Sequence, residues 1–482
     1  MLLSLLSIAS ADTEFAGYFR VMTRPDLSGG DGKLGYWNLY GRLLNEGPYA
    51  AVELRQDVLK RRPGDDQVWT DLHLKVEGGS IGSADAGNGN LANLRLSQAY
   101  AQAGNVLIRD VTWRLGTLEY TYGDLGLYDM RPAQILTDTL GVSGRYTAGR
   151  GDIVFGVGDA GWSIHGADYN TVISGGGALR FALVPSHLEV GGGAQYWFEP
   201  EVVGNRFAPH DTPDVAYEDW IRGEVVEKWL EENPNQEESF PSPTPTDAHS
   251  WKVVGYLGFG GFGPIRWNNL FANVALLHPE GRSTETYGGA DYDIYVRSLT
   301  NERRQINVGD ELQLTLVPER LDLVVGGLFG DYTDGDNDIA PSDYDRTFWS
   351  SVARTELYVT PTVHLLVEGS YAQEKSHNGN TYRNHVDSIF ENTNGKTDAE
   401  GLEYGDSDER TTVQAKGGVV LSPLGPGLWT RPSLRLLYGL QWSSQNNAYG
   451  NSFVTTLDQY NDFGNVERHF HSVLALEAEA WF

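Results

Sequence analysis

The stretch "HSVLALEAEAWF", residues 471–482, decides how the chain folds. Read with period two, Leu474, Leu476, Ala478, Ala480 and Phe482 share one face, while His471, Glu477, Glu479 and Trp481 share the other. Such alternation describes a strand with one oily face and one wet face. The same grammar recurs. In "SHLEVGGGAQYWF", Leu188, Val190, Ala194, Tyr196 and Phe198 alternate with His187, Glu189, Gln195 and Trp197. In "DELQLTLVPERLDLVVGGLF", Leu312, Leu314 and Leu316 lie opposite Glu311, Gln313 and Thr315, and a second strand follows the turn around Pro318. "TELYVTPTVHLLVEGSY" repeats the hairpin with Pro361 in its turn. About eighteen such segments occur, each roughly ten residues long, the length a tilted strand needs to cross a bilayer.

The connections alternate between short and long. Tight, proline-bearing turns at 317–320 and 360–362 contrast with long polar connections at 199–250, 277–305, 331–345, 374–410 and 443–465. Short turns at one rim and long loops at the other are the pattern of a bacterial outer-membrane barrel. The longest connection, 199–250, holds thirteen acidic and three basic residues, and within it Trp220, Ile221, Val225 and Trp229 have the spacing of a short surface helix. The expected fold is therefore all-β: one transmembrane antiparallel β-barrel over residues 12–482, with long extracellular loops. At the start, "MLLSLLSIASA" reads as the apolar core and small-x-small cleavage site of a signal peptide over residues 1–11, lacking a basic n-region and so truncated at its start.

Composition narrows the function. The 482 residues include 58 Gly, 25 Tyr and no Cys, and carry a net charge of -29. Anionic polymers would be repelled, which argues against nucleic acid as a partner. Without Cys there is no disulfide framework and no thiolate metal site. "GFGGFG", residues 258–263, fits a dinucleotide pattern but is followed by Pro264 and another strand, so no helix N-terminus exists to receive a pyrophosphate. Asp334, Asp336 and Asp338 open like a calcium loop, yet the closing bidentate Glu is missing, and a solvated acidic turn accounts for them. No Ser/His/Asp grouping stands on a recognisable turn, so neither an enzyme nor a cofactor is expected.

The wet face carries rings. Tyr18 and Arg20 lie opposite Phe15, Gly17, Phe19 and Val21, and Tyr49, Glu53, Arg55 and Asp57 lie opposite Val52, Leu54 and Val58. Trp481 shares the side of Glu477 and Glu479. Two readings stand. The rings are girdle residues at the lipid boundary, or they line a lumen beside ionic groups, an arrangement suited to a sugar with its apolar C–H faces and its hydroxyls.

The chain resembles the maltoporins, eighteen-stranded trimeric outer-membrane channels for maltose and maltodextrins. The resemblance is carried by "GYFR" at 17–20, "RLLNEGPYAAVELRQDV" at 42–58, "WRLGTLEYTYGDLGLYD" at 113–129, "WTRPSLRLLYGLQW" at 429–442 and the terminal Trp481-Phe482. It implies an inward-folded constriction loop beginning near Asp124, a homotrimer embedded in outer-membrane lipid, and oligosaccharides as solutes moved by facilitated diffusion. By position, Tyr18, Tyr49 and Trp481 resemble the family's aromatic track, and Arg20, Arg42, Arg95, Asp124 and Asp129 its polar track and constriction. Where the family has Arg and His beside the first loop Asp, this chain has Tyr122 and Gly126, which implies a less basic constriction and leaves the identity of the sugar open. The alternatives are a general, cation-leaning porin with an acidic lumen, or an outer-membrane receptor or enzyme acting through its long loops.

Overall fold

A computed structural model describes residues 12–24, 34, 38–60, 67–78, 94–164, 171–202, 206–207, 230–231, 234, 246–277, 281–287, 290–296, 303–334, 345–377, 409–444 and 470–482. The expected signal peptide, the helix-spaced Trp220, Ile221, Val225 and Trp229, and the side chains of Asp334, Asp336 and Asp338 lie outside what is described.

The alternating segments become strands. The first nine are β1 (Thr13–Thr23), β2 (Tyr49–Leu59), β3 (Trp69–Gly78), β4 (Leu94–Gly104), β5 (Val111–Thr121), β6 (Gln134–Ala148), β7 (Gly151–Asp159), β8 (Ile173–Val184) and β9 (Leu188–Val202). A short β10 (Arg206–Phe207) precedes β11 (Thr246–Phe262) and β12 (Ile265–Leu277). A hairpin, β13 (Gly281–Tyr287) and β14 (Ala290–Val296), follows. Then come β15 (Arg303–Val317), β16 (Leu321–Asp334), β17 (Arg346–Tyr358), β18 (Val363–Ser376), β19 (Glu409–Leu421), β20 (Ser433–Ser443) and β21 (Phe470–Trp481). All but β10, β13 and β14 belong to one 18-stranded sheet. Its last strand pairs with its first, Trp481 opposite Tyr18 and Leu476 opposite Thr23, so the sheet closes and has no edge.

Two details differ from the sequence reading. The strands run from nine to seventeen residues instead of about ten. The longer ones exceed the 9–11 or so residues a tilted strand needs for a bilayer, and their polar ends carry the ladder beyond it. The connection expected to be a plain loop at 277–305 contains the β13–β14 hairpin, whose β14 also pairs with β10 in a separate three-stranded sheet.

Burial is inverted relative to a water-soluble protein. Along β17, Arg346, Arg354 and Glu356 point inward and are buried, while Trp349 and Leu357 are exposed on the outer face. On β18 the pattern repeats with Glu368 and Glu374 inside and Leu365 and Val367 outside. Exposed Leu72, Leu115, Val142, Phe155 and Leu179 extend this apolar exterior over the earlier strands. Near the rim of the long connections, Trp349 and Tyr371 pack with ring centres 5.0 Å apart, and register carries the row through Val413 to Trp442 and Phe470. Phe15 and Phe482 are exposed at the opposite rim. An apolar outer band with rings at its margins and ionic residues within is the signature of a barrel dissolved in lipid. The chain is an outer-membrane β-barrel.

Candidate functional site

Two of the described connections on the long-connection rim turn into the barrel. The first lies between β1 and β2. Its Leu34, Leu43 and Leu44 are buried against Leu366, Val420, Leu437, Val473 and Ala475 on the inner wall of β18–β21. Around a short 3-10 turn, Asn38–Tyr40, the Tyr40 hydroxyl donates to Glu374 Oε2 at 2.5 Å. Lys416 Nζ donates to Tyr40 O at 2.9 Å and pairs with Glu368 Oε1 at 2.7 Å. Asn45 Nδ2 donates to Gln414 Oε1 at 3.1 Å.

The second inward segment lies between β5 and β6, residues 122–133. Leu125, Leu127, Tyr128 and Ala133 are buried. It crosses to the far wall: Leu127 N donates to Glu311 Oε2 at 2.7 Å, Asn269 Nδ2 to Asp124 O at 3.1 Å, Asn273 Nδ2 to Pro132 O at 3.3 Å and Ser350 Oγ to Tyr128 OH at 3.1 Å. This is the inward-folded segment expected near Asp124. Its stretch "GDLGLYDM" also brings the inward segments together, because Arg42 N donates to Leu127 O at 2.8 Å.

Where they meet, an ionic cluster forms. Glu46 pairs with Arg20 and, at 3.0 Å, with Arg42. Arg42 Nη2 also lies 3.8 Å from Glu479 Oε1, which accepts from the Tyr18 hydroxyl at 2.6 Å. Arg431 and Arg435 reach Glu479 Oε2 at 2.6 and 2.5 Å. Burial pushes the Glu46 carboxyl up to about 7, opposed by Arg42 and Arg20 and reinforced by its hydrogen bond with Asp129. Burial acts the same way on Asp129, but Arg42 and the Glu46 hydrogen bond outweigh it and hold Asp129 below the usual carboxylate range. Burial raises Asp124, with Arg131 opposing and Asp129 adding.

Beside this plug remains a cavity of about 830 Å³. Its wall includes Tyr49, Arg95, Asp129, Trp162 and Tyr332. The charges around it balance, with Lys75, Arg95, Arg131 and Lys252 against Glu77, Glu119, Asp129 and Asp138. Asp129 Oδ2 is buried and, among the described residues, accepts no hydrogen bond.

The expected aromatic residues do come together on the wet side. Tyr18 lies with its ring centre 5.6 Å from Tyr49 and 5.7 Å from Trp481. Tyr49 is buried, its hydroxyl donating to Glu77 Oε2 at 2.7 Å, whereas Trp481 is 63% exposed at the short-turn rim. The row therefore runs from an open rim to the cavity wall. Of the expected polar residues, Arg95 and Asp129 line the cavity, Arg20 and Arg42 sit in the ionic cluster, and Asp124 lies on the inward segment outside the cavity lining. Sequence reasoning missed Glu46, Glu77, Arg131 and Glu479 as members of the site. A usable signal existed for Glu46: "LYGRLLNEG" places three leucines in a connection, where a solvated loop has no use for them.

No protein-family pattern matches the chain. No curated protein sequence matches it either. Among solved structures it is similar to the outer membrane channel DcaP of Acinetobacter baumannii, with 11% identity, 99% of each chain covered and a TM-score of 0.40. OpdL of Pseudomonas aeruginosa is 8% identical over 98% of this chain and 99% of that one, with a TM-score of 0.43. OmpT of Vibrio cholerae is 10% identical over 98% of each chain, with a TM-score of 0.38.

Proposed function

We propose that this barrel is a solute-selective channel whose substrates are carbohydrates of the oligosaccharide class, moved by facilitated diffusion without a chemical step. The ring row carries the reading: Trp481 and the partly exposed Tyr18 offer apolar faces to C–H surfaces, beside a cavity that Asp129 lines. Weak, successive contacts of this kind let a solute enter and leave. The balanced charge around the cavity gives less reason for a general cation channel than the overall charge of -29 would suggest.

The test is single-channel conductance in planar bilayers titrated with maltodextrins. Block at millimolar sugar, weakened by Asp129→Asn, supports the reading. A pore that passes ions and shows no block by any oligosaccharide sinks it and leaves a general porin.

A further inference from the structure

Among the described residues, the barrel wall splits between β4 and β5. The ladder between β4 and β5 runs from Gly104 opposite Thr112 to Tyr100 opposite Gly116 and goes no further. Above it each strand stays paired on its far side: Leu94 and Arg95 with β3, Tyr120 and Thr121 with β6. The causes converge at one height. β4 has a bulge at Ser97, between the Gln98 and Leu96 pairings, and at the same level the β5–β6 register breaks, Glu119 facing three residues of β6, 136–138. Gly116 has φ +128°, a conformation that other residues rarely adopt, at the last paired position. Bulges bend a strand and increase its twist, so the neighbours diverge.

Side chains bridge the notch where backbone does not. Ala99 N donates to Thr117 Oγ1 at 3.0 Å, and Gln98 Nε2 donates to Glu119 Oε2 at 2.8 Å. The outer margins are apolar and exposed: Val76 and Leu96 on one side, Leu115 and Leu140 on the other. The 830 Å³ cavity reaches both sides of the notch, from Lys75 and Asp129 inside to the outward-facing Leu96.

Its charges are unevenly used. Glu119 accepts from Gln98 at 2.8 Å and Gln134 at 2.7 Å, and Glu77 accepts from Tyr49 at 2.7 Å with Lys75 at 2.9 Å. Arg95 and Arg131 meet these same carboxylates only at 3.6 Å, and both are exposed. Two guanidinium groups, with five donors each, therefore have donors to spare, while Glu77 and Glu119 are filled. What the notch can still bind is an anion on the lumen side and hydrocarbon on the lipid side.

We propose that the β4–β5 notch is a lateral site for a single-chain anionic amphiphile, its carboxylate held by Arg95 and Arg131 and its alkyl chain passing between Leu96 and Leu115 into the membrane. Paired strands stand about 4.8 Å apart, so parting one pair admits one chain more readily than a bulky lipid.

A diazirine-bearing palmitate, irradiated with the intact barrel in nanodiscs, tests this by peptide mapping. Label is expected to concentrate on residues 94–99 and 117–121. The corresponding long-chain alcohol should label these positions several-fold less. The double variant Arg95→Ala with Arg131→Ala should lower the carboxylate's labelling to the alcohol's level. Labelling spread evenly around the outer face, or equal labelling of the notch by carboxylate and alcohol, would overturn the proposal, and that comparison needs only the native protein. Sugar block of conductance is read separately, so failure of one reading leaves the other standing.

Discussion

Trp481 and Tyr49 belong to one ring row but answer to different forces. Trp481 is largely exposed, so its loss should remove a stacking face worth about 0.5–1.5 kcal/mol and weaken maltodextrin block several-fold in Trp481→Ala, with sugar-free conductance little changed. Tyr49 is buried on Glu77, so Tyr49→Ala should lower the barrel's unfolding temperature as well, which a melting curve would show. Glu46 sets a pH dependence. Its folded value, about 7, lies above its ordinary 4.5. It therefore contributes stability that is full below about 4.5 and lost as pH rises through about 7. Asp129 is shifted downward, so its own contribution is retained at neutral pH and lost only in acid. The clasp between the inward segments should loosen between pH 5 and 8, seen as more frequent current fluctuations, and Glu46→Gln should abolish that change. Side-chain direction was legible from alternation alone, which put Tyr18, Tyr49 and Trp481 on the wet face. Which of them stays accessible was not, because that depends on Glu77 and Glu479, on other strands.

At the scale of the element, period two exposed the strands because each has one lipid face and one lumen face, and register fixes both at once. Inward folding leaves a fainter trace. Residues 122–133 were found only through a resemblance, and the segment after β1 was missed, because an apolar run in a connection reads the same whether it packs inside the barrel or on another loop. Its leucines found partners on β18–β21, more than 300 residues away. The notch between β4 and β5 was equally hidden, since a bulge is one extra residue in a ladder whose partner is unknown. Replacing residues 124–130 by a short Gly/Ser linker should widen the lumen. A several-fold rise in single-channel conductance is expected, and an unchanged conductance would show that the segment does not limit flow.

For the molecule as a whole, acidity and selectivity separate. The chain carries -29, yet the charges lining the cavity are even, and the connection 199–250 alone accounts for ten of the excess negatives. The charged side chains that line the cavity therefore add nothing to the acidic surplus, and salt screens charges elsewhere within about 10 Å at 0.1 M. Reversal potentials should show only weak cation preference, fading as salt rises. The alternation of short and long connections also fixes a topology. Protease added to intact cells should cut within 203–245 and spare the turn at 318–320, and the reverse result would invert the barrel.

The seam between β1 and β21 bears on how the barrel comes to exist. Tyr18 and Glu479, joined by a hydrogen bond, stand 461 residues apart in sequence. Most neighbouring strands meet through local hairpins, but this junction awaits β21, which is made after the other described strands. Closing so distant a contact is slow, since the entropy of the intervening chain opposes it before any bond repays it. Until then β1 presents an open edge to every other unpaired strand nearby. Closure of this barrel therefore needs that side of β1 to stay unoccupied until β21 arrives.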